Sequence, residues 1–212
     1  MTLASRPKKI ASIAALALLA ISGRLYAYIM VPSGSPVPPH KVEELLSVAK
    51  DGDVICRLGD RLWSHALKDF SVEDRRYSHV GIIKINNGRA TVIHAEGTAE
   101  QGSGFVKEEA LEDFCAIARA IGIYRIKGLD AGLVSHAASK YLGIPFDWQF
   151  DSGDESKLYC TELLHVVLKR LKPSLGLKKV YVRALGKEVI PLESISHSDD
   201  FSEIYYLAAV RR

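Results

Sequence analysis

The sequence predicts an α+β domain in which an antiparallel sheet has its helices packed on one side. Two β-rich runs, 79–85 and 90–95, flank Asn86-Asn87-Gly88, which is a strong β-hairpin signal. Residues 158–171 carry leucine and valine at helical spacing and predict a long amphipathic helix. Near the end of the chain, 203–210 predicts a further strand.

The other elements are predicted from local patterns along the body of the chain. Asp130 is expected to cap the helix that follows it, because an aspartate at this position accepts hydrogen bonds from free backbone N–H groups. Helices are predicted at 42–50, 62–70, 107–114 and 130–141, strands at 53–57 and 116–126, and loops at 71–77, 97–104 and 143–157.

The first 31 residues predict a targeting segment. A basic stretch at 6–9 is followed by 10–22, an uncharged apolar run of the length typical of a signal-peptide helix. Residues 1–31 fit a cleaved signal peptide and an uncleaved membrane anchor equally well, and either would send the body across the membrane. Residues 32–40 hold four of the eight prolines and predict an extended linker. The folded domain is therefore expected to span 41–212.

Charge is distributed unevenly along the chain. Residues 1–40 contain four basic and no acidic side chains, whereas the remainder contains 24 basic and 25 acidic side chains, for a net charge of −1. A body this close to neutral lacks the basic face that nucleic-acid binding requires. We therefore expect no nucleic-acid partner.

Three cysteines are present, and their surroundings differ. Cys56 and Cys115 could pair with each other, although separate buried thiols are favoured. Cys160 lies in the first turn of the predicted long helix, ahead of its apolar face, where free N–H groups and the helix dipole favour a thiolate. Cys160 is therefore the candidate nucleophile, with a depressed thiol pKa, and an inert residue at a helix start is the alternative.

The seven histidines include two that lie on one hairpin. His79 opens the first strand and His94 lies late on the return strand, so both are near the open end of the hairpin. Neighbouring residues on paired strands can touch, and one ring could hold the other in place, as the third member of a catalytic triad does. His79 is the candidate base for Cys160. Two unrelated strand histidines are the alternative.

Five segments, taken in order, resemble the permuted papain-like amidases of the YaeF/YiiX type. They are GDVICRLGD, SHVGII, VIHAEG, YLGIPFDWQFD and KLYCTELL, and they cover about 51–171. The resemblance implies a permuted papain-like fold with Cys160 as nucleophile and His79 as base. The third residue of such sites is often a glutamate, whereas this chain has His94 at that place and Glu96 two residues later. We therefore take His94 as the orienting residue and Glu96 as the reserve. A set of two histidines and one cysteine is similar to the set in the related lecithin:retinol acyltransferase group.

The same resemblance implies roles for residues near the nucleophile. Tyr159 is placed in the active site, where its phenol could donate to an oxyanion, or it could simply pack at the helix start. Asp147 and Trp148, in the loop before the helix, could line the substrate cleft. Glu162 is expected to complement the positive end of the helix.

These observations predict an exported cysteine hydrolase that cleaves a peptide or N-acyl amide through a Cys160 acyl-enzyme. Ester or thioester hydrolysis and acyl transfer are a related alternative. From other classes, His79, His94 and Cys160 could ligate zinc, or the fold could serve as a ligand-binding module without catalysis. Export makes peptide, cell-wall or lipid-derived acyl groups the expected substrates, in the periplasm or another extracytoplasmic space, with membrane contact through the N-terminal segment. The leading interpretation requires no metal and no cofactor.

Overall fold

A computed structural model of the chain describes residues 37–59, 71, 73–98, 103–183 and 185–208. Contacts along the chain separate Met1–Ser33, which lies outside the described residues, from a second unit, Gly34–Arg212. The predicted targeting segment, most of the predicted linker and the predicted helix at 62–70 also lie outside the described residues. Within the described ranges, no helix is long and apolar enough to cross a membrane.

Antiparallel strands form the central sheet, as predicted. Its strands are β1 (Val54–Gly59), β2 (His79–Asn86), β3 (Arg89–Thr98), β4 (Ser103–Ala110), β5 (Ala118–Ile126) and β8 (Phe201–Leu207), and two shorter strands, β6 (Val180–Val182) and β7 (Lys187–Val189), pair separately. The order across the six-stranded sheet is β4-β3-β2-β1-β5-β8. Positive φ angles of 50° at Asn87 and 77° at Gly88 turn β2 into β3, which confirms the predicted hairpin.

Five helices complete the described part of the chain. They are α1 (Pro39–Val48), α2 (Leu111–Ala116), α3 (Ala131–Ser139), α4 (Cys160–Leu171) and α5 (Glu193–Ser196). α1 begins inside the predicted linker, because proline is tolerated in the first turn of a helix, where its missing N–H would have no partner. The carboxylate of Asp130 accepts a hydrogen bond from the Gly132 N–H at 2.9 Å and caps α3, as predicted.

The sheet separates two apolar clusters, because successive side chains of a strand point to opposite faces. Val54 and Cys56 of β1 pack into a cluster with α3 and α4, whereas Ile55 packs into a second cluster with α1 and α2. The α+β architecture is therefore confirmed, with α3 and α4 together on one face. Among the buried residues of that face are the first residues of α4, which places the N-terminus of this helix against β2.

The predicted helix at 107–114 is wrong in its first half, because 107–110 belong to β4 and only 111–114 are helical. β4 pairs with β3 from Ser103 to Ala110, and a helix begins only at Leu111. Successive side chains of this strand point to opposite faces of the sheet, so Lys107 and Glu109 share a face. The predicted loop at 97–104 is shortened at both ends for the same reason.

The segment that precedes α4 is fastened to the edge of β4. The Val106 N–H donates to the Ile144 carbonyl at 2.8 Å, and the Phe146 N–H donates to the Gly104 carbonyl at 2.9 Å. Phe146 also bridges to Leu158, two residues before α4. These contacts tie the position of α4 to the outer strand of the sheet.

Candidate active site

Six polar residues gather on the α2 face of the sheet, and we call them the histidine cluster: Arg57, His79, His94, Glu96, Lys107 and Glu109. Strand register brings them together, since Arg57 pairs with His79 and His94 pairs with Lys107. The side chains of 94 and 96 share a face of β3 with Val92, which pairs with Glu109. The cluster therefore follows from the pairing of four adjacent strands.

The two histidines predicted to meet are in contact. Nε2 of His79 lies 2.8 Å from Nδ1 of His94, and their rings are almost perpendicular, at 85°. Gly81 makes this contact possible, because a Cβ at that position would come within 2.4 Å of a Val92 methyl group and 3.1 Å of the His94 Cβ. His79 is 8% exposed and His94 is fully buried.

A carboxylate that the sequence did not single out lies on the far side of His94. Oε1 of Glu109 lies 3.0 Å from Nε2 of His94, somewhat off the ideal N–H direction, so the contact is close without being a well-aligned hydrogen bond. The Lys107 ammonium lies 2.8 Å from Oε2 of Glu109. Burial raises the pKa of Glu109, but the contacts with His94 and Lys107 outweigh it and lower the pKa to about 2. This carboxylate is therefore ionised throughout the neutral range.

Both carboxylate oxygens of Glu96, the reserve orienting residue, contact cationic side chains. Its Oε1 lies 2.6 Å from a guanidinium nitrogen of Arg57, and its Oε2 lies 2.7 Å from the Lys107 ammonium. These contacts lower the pKa of Glu96 in spite of its burial. Glu96 therefore balances the charge of Arg57, which is 3% exposed.

Both histidines are held neutral by their surroundings. Burial lowers the pKa of His79 well below its usual value, and the positive charge of Arg57 lowers it further. Burial also lowers the pKa of His94, although Glu109 opposes this effect. Each ring therefore keeps one nitrogen free to accept a proton at neutral pH.

Cys160 is the first residue of α4 and is 7% exposed. The backbone N–H groups of Val80, Thr161 and Cys160 itself point toward its Sγ and lower the thiol pKa, but burial outweighs them and raises the pKa to about 11. The prediction of a depressed pKa is therefore wrong for this state, because desolvation of the thiolate costs more than the helix terminus returns. Cys56 and Cys115 are separate buried free thiols, as favoured from the sequence.

The backbone of β2 lies between the candidate nucleophile, Cys160, and the candidate base, His79. Val80, whose N–H points to the thiol, directly follows His79. The side chains of these two residues leave opposite faces of the strand, and no hydrogen bond joins Cys160 to the His79 ring in the part of the chain that the structure describes. The positive charge of Arg57 lowers the pKa of both Cys160 and His79.

A small hollow, partly open to solvent, lies beside the thiol. It is lined by Phe150, Tyr159, Cys160, Thr161, Ile190, Pro191 and Leu192. Its polar groups bond to one another: the Thr161 hydroxyl donates to the Ile190 carbonyl at 2.7 Å, and the Ile190 N–H donates to the Tyr159 hydroxyl at 3.0 Å. The walls of the hollow are therefore predominantly apolar.

The remaining predicted site residues fall into two groups. Tyr159 lines the hollow, and burial raises the pKa of its phenol, which remains protonated and accepts the Ile190 N–H. Asp147 is buried and accepts hydrogen bonds from the backbone N–H groups of Gln149 and Asp151, so its carboxylate shapes the loop. Trp148 packs on Phe146, with ring centroids 4.9 Å apart, and neither Asp147 nor Trp148 lines the hollow.

Glu162 has a different state from the one expected at a helix N-terminus. It is 1% exposed, and burial raises its pKa to about 8, so the carboxyl group is protonated at neutral pH and cannot complement the dipole with a full charge. The backbone N–H of Tyr159 opposes this shift, and Oε2 of Glu162 has no hydrogen-bond partner in the described structure. The sequence-based expectation for this residue is wrong because it ignored burial.

Sequence reasoning missed Arg57 and Glu109. Arg57 lies within a strand predicted as buried, and an arginine in such a strand is itself a signal that a carboxylate lies nearby. Glu109 was missed because its segment was predicted as part of a helix at 107–114. A strand reading of FVKEEA would have placed Lys107 and Glu109 on one face and directed attention to the strand paired with it.

Comparison with known proteins identifies the family. A family model described as permuted papain-like amidase enzyme, YaeF/YiiX, C92 family, matches residues 48–200. The uncharacterized protein YiiX of Escherichia coli (strain K12) is 27% identical over 155 residues, which span 70% of this chain and 65% of that relative. The chain thus covers slightly less than two thirds of the relative's length.

A solved structure supports the fold. The crystal structure of a protein described as metalloprotein YiiX from Escherichia coli O157:H7 superposes with a TM-score of 0.62 at 18% sequence identity, covering 78% of this chain and 99% of that one. At this identity the likeness concerns the fold alone. The family match covers most of the chain and includes every residue of the histidine cluster together with Cys160. The chain belongs to the permuted papain-like amidases of the YaeF/YiiX type, the C92 family.

Proposed function

We propose that this protein is a cysteine hydrolase that cleaves an amide bond through an acyl-enzyme on Cys160, with His79 as the general base. One observation carries the proposal: the thiol at the start of α4 is buried in the apolar cluster that includes Val80, the residue next to a buried His79. A nucleophilic thiol and a neutral imidazole on adjacent elements are the two groups that acyl transfer requires. Membership of an amidase family supports the same chemistry.

The pKa shifts favour a neutral thiol and a neutral imidazole in the resting protein. On substrate binding, His79 would take the proton of Cys160 as sulfur attacks the carbonyl carbon, and would then give that proton to the leaving amine. The N–H groups at the start of α4 would stabilise the negative charge that develops near sulfur. Water would then hydrolyse the thioester with His79 again acting as base. Hydrogen bonds between catalytic groups commonly tighten only when substrate is bound, so the thiol and the ring of His79 are expected to come within hydrogen-bonding distance at that point.

For the substrate, the hollow favours an apolar acyl group over a charged one. Its lining supplies no carboxylate, ammonium or guanidinium, and its two hydroxyl groups already bond to the backbone of Ile190. Burying an unpaired charge there would cost several kcal/mol, on the order of a thousandfold in affinity. The proposed substrates are therefore amides whose acyl group is apolar where it enters the hollow. They include peptide, cell-wall and lipid-derived acyl amides. Esters and thioesters of the same acyl groups are the related alternative.

Export remains part of the proposal. The basic residues 6–9 and the uncharged run 10–22 support targeting through the membrane, which would leave the catalytic domain outside the cytoplasm. A fusion of 1–40 to a reporter that is active only outside the cytoplasm tests this directly. Activity is expected; a reporter that stays soluble in the cytoplasm would show that the segment does not direct export.

The nucleophile is tested by an acyl-directed electrophile probe followed by mass mapping of the labelled peptide. Labelling is expected at Cys160 and should be lost in Cys160→Ser, whereas Cys115→Ser, which removes a fully buried thiol, should be labelled as the wild type is. Hydrolysis of an N-acyl amide series should disappear in the first variant only. Labelling at Cys56 or Cys115, or amide hydrolysis that survives Cys160→Ser, would refute the proposal.

A metal site is the second candidate function, because one ligand atom each from His79, His94 and Glu96 lie within 4.8 Å of one another. The structural neighbour described as a metalloprotein supports testing it. The set differs from the cysteine and two histidines expected from the sequence. Arg57 and Lys107 already bind Glu96, and their positive charges oppose a cation there. Stoichiometric metal in the purified protein, lost in His94→Ala, would favour this candidate; metal-free protein with full hydrolase activity would exclude it.

A further inference from the structure

We propose that Glu109 is a positioning residue that fixes the tautomers of both histidines, so that Nδ1 of His79 is the nitrogen that accepts the thiol proton. The inference deepens the proposed function and rests on it for its catalytic meaning. The three side chains form a continuous chain, with His79 Nε2 lying 2.8 Å from His94 Nδ1 and His94 Nε2 lying 3.0 Å from Glu109 Oε1.

The direction of the protons follows from the end of this chain. A carboxylate has no proton to give, so it can only accept, and Nε2 of His94 must carry the hydrogen that faces Glu109. In a neutral ring the other nitrogen, Nδ1, then has a lone pair and accepts from Nε2 of His79. His79 is thereby left with its lone pair on Nδ1. The assignment needs no ionised histidine, which agrees with the burial of both rings.

Glu109 is better placed for this role than Glu96. Both oxygens of Glu96 lie against cations, one against Arg57 and the other against Lys107. Glu109 uses Oε2 for Lys107 and presents Oε1 to His94 at 3.0 Å, with a guanidinium nitrogen of Arg57 farther from the same oxygen, at 3.7 Å. Its backbone is also fixed, since Glu109 pairs with Val92 on the strand that carries His94.

The buried surroundings of His94 determine which of its ring nitrogens carries the proton. The ring is fully buried and meets Phe114 edge to face, with centroids 5.1 Å apart. A neutral imidazole has two tautomers of similar energy in water, so a buried one is set by whichever neighbour accepts or donates. Removing the charge of Glu109 would let His94 carry its proton on either nitrogen. In one of these states, His94 would donate toward His79 and hold the wrong nitrogen of the base.

The experiment compares Glu109→Gln, Glu109→Asp and Glu109→Ala with a matched control, Glu108→Gln. Glu108 is the next residue of β4, faces the other side of the sheet and pairs with Lys84 at 2.9 Å. For hydrolysis of an N-acyl amide, Glu109→Gln is expected to lower kcat about 10- to 100-fold with KM nearly unchanged. Glu109→Asp should recover part of the loss, and Glu108→Gln should stay within about twofold of wild type.

Long-range proton–nitrogen correlation spectra of the resting protein provide a readout that needs no catalysis. His94 and His79 are both expected to carry their proton on Nε2, and Glu109→Gln should show a mixture of tautomers at His94. A His79 that is protonated on Nδ1 in the wild type, or a Glu109→Gln variant with wild-type kcat, would overturn the inference. If Cys160→Ser retains activity while the spectra show the expected tautomers, the proposed function fails and the assignment of Glu109 stands. If Glu109→Gln does not fold, the wild-type spectrum still decides.

Discussion

The candidate site has two halves, the histidine cluster and the N-terminus of α4. The two halves differ in how their polar groups are placed and paired. In the cluster, strand register places every group, and each charge faces an opposite charge, as Arg57 does with Glu96. At the start of α4, a thiol and a carboxyl group are buried with few partners, and both pKa values are raised. The base therefore lies against a network of paired charges, whereas the nucleophile lies among apolar groups, and burial shifts the pKa of both.

This difference determines how the site can work. A buried ion network is rigid, because each member loses partners if another moves, which suits the orientation of a base. A desolvated thiol is held neutral, so it stays unreactive until a substrate brings the base and the developing charge together. The comparison predicts that changes in the cluster alter the rate by disturbing orientation, and that changes at α4 alter the chemistry itself or the stability.

The largest effect is expected from removing either reacting group. Cys160→Ala should abolish amide hydrolysis, and His79→Ala should lower kcat by about 10³-fold or more, since the thiol has no other group to accept its proton. The double variant should be no worse than Cys160→Ala, because members of one catalytic unit are not additive. Steady-state kinetics with an N-acyl amide series provide the measurement.

A matched control for the histidine is His136, which lies exposed in the last turn of α3. His136→Ala should retain wild-type kcat. If His79→Ala is as active as His136→Ala, the base has been assigned to the wrong residue. In that case the thiol would have to act without the histidine cluster, and the contrast between the two regions would have no catalytic meaning.

The second effect separates the two candidate orienting residues. His94→Ala leaves His79 in place but loosely held, so kcat should fall about 10- to 100-fold and not to zero. His94→Glu should recover part of this loss, because a carboxylate can also accept the ring N–H of His79. Glu96→Gln should change kcat less than about threefold when the protein remains folded, since Glu96 contacts cations. If Glu96→Gln abolishes turnover while His94→Ala is nearly neutral, Glu96 is the third residue.

How much of this site the sequence predicts depends on the range of the interactions. The hairpin, the cap of α3 and the helix predicted at 158–171 follow from local patterns, and the structure has all of them, with the helix beginning at Cys160. The contact between His79 and His94 also followed, because two strands joined by a tight turn have their register fixed by that turn.

Features that depend on distant strands or on burial were not predictable from local patterns. Glu109 meets His94 only because β4 pairs with β3, and its segment was predicted as a helix. The state of Glu162 and the high pKa of Cys160 arise from desolvation, which depends on how the whole α4 face is covered. Helix position alone suggested the opposite charge state for both groups.

The third effect concerns how quickly the thiols react with iodoacetamide. The thiolate fraction falls about tenfold for each unit by which the pKa exceeds the pH, so Cys160, with a pKa raised by burial to about 11, should react fastest. Cys115, with its pKa raised to about 12, should be roughly tenfold slower or more. The rate at Cys160 should still rise about tenfold between pH 8 and 9. A plateau below pH 8, measured by mass spectrometry of the labelled peptides, would mean a stabilised thiolate and would remove the contrast with the cluster.

The smallest effect tests the desolvated state of α4 through stability. The pKa of Glu162 is raised by burial to about 8 from an ordinary value of 4.5, so the folded protein keeps a proton that the unfolded chain releases across this window. Stability from this group is therefore fully present below about pH 4.5 and is lost as pH rises toward 8, at up to about 1.4 kcal/mol per pH unit. Denaturant unfolding at pH 5 and pH 8 should show wild type losing roughly 3 kcal/mol relative to Glu162→Gln, which does not titrate. Glu155→Gln, at an exposed position, should follow wild type at both pH values. Parallel curves for wild type and Glu162→Gln would mean that the carboxyl group is solvated in the folded protein.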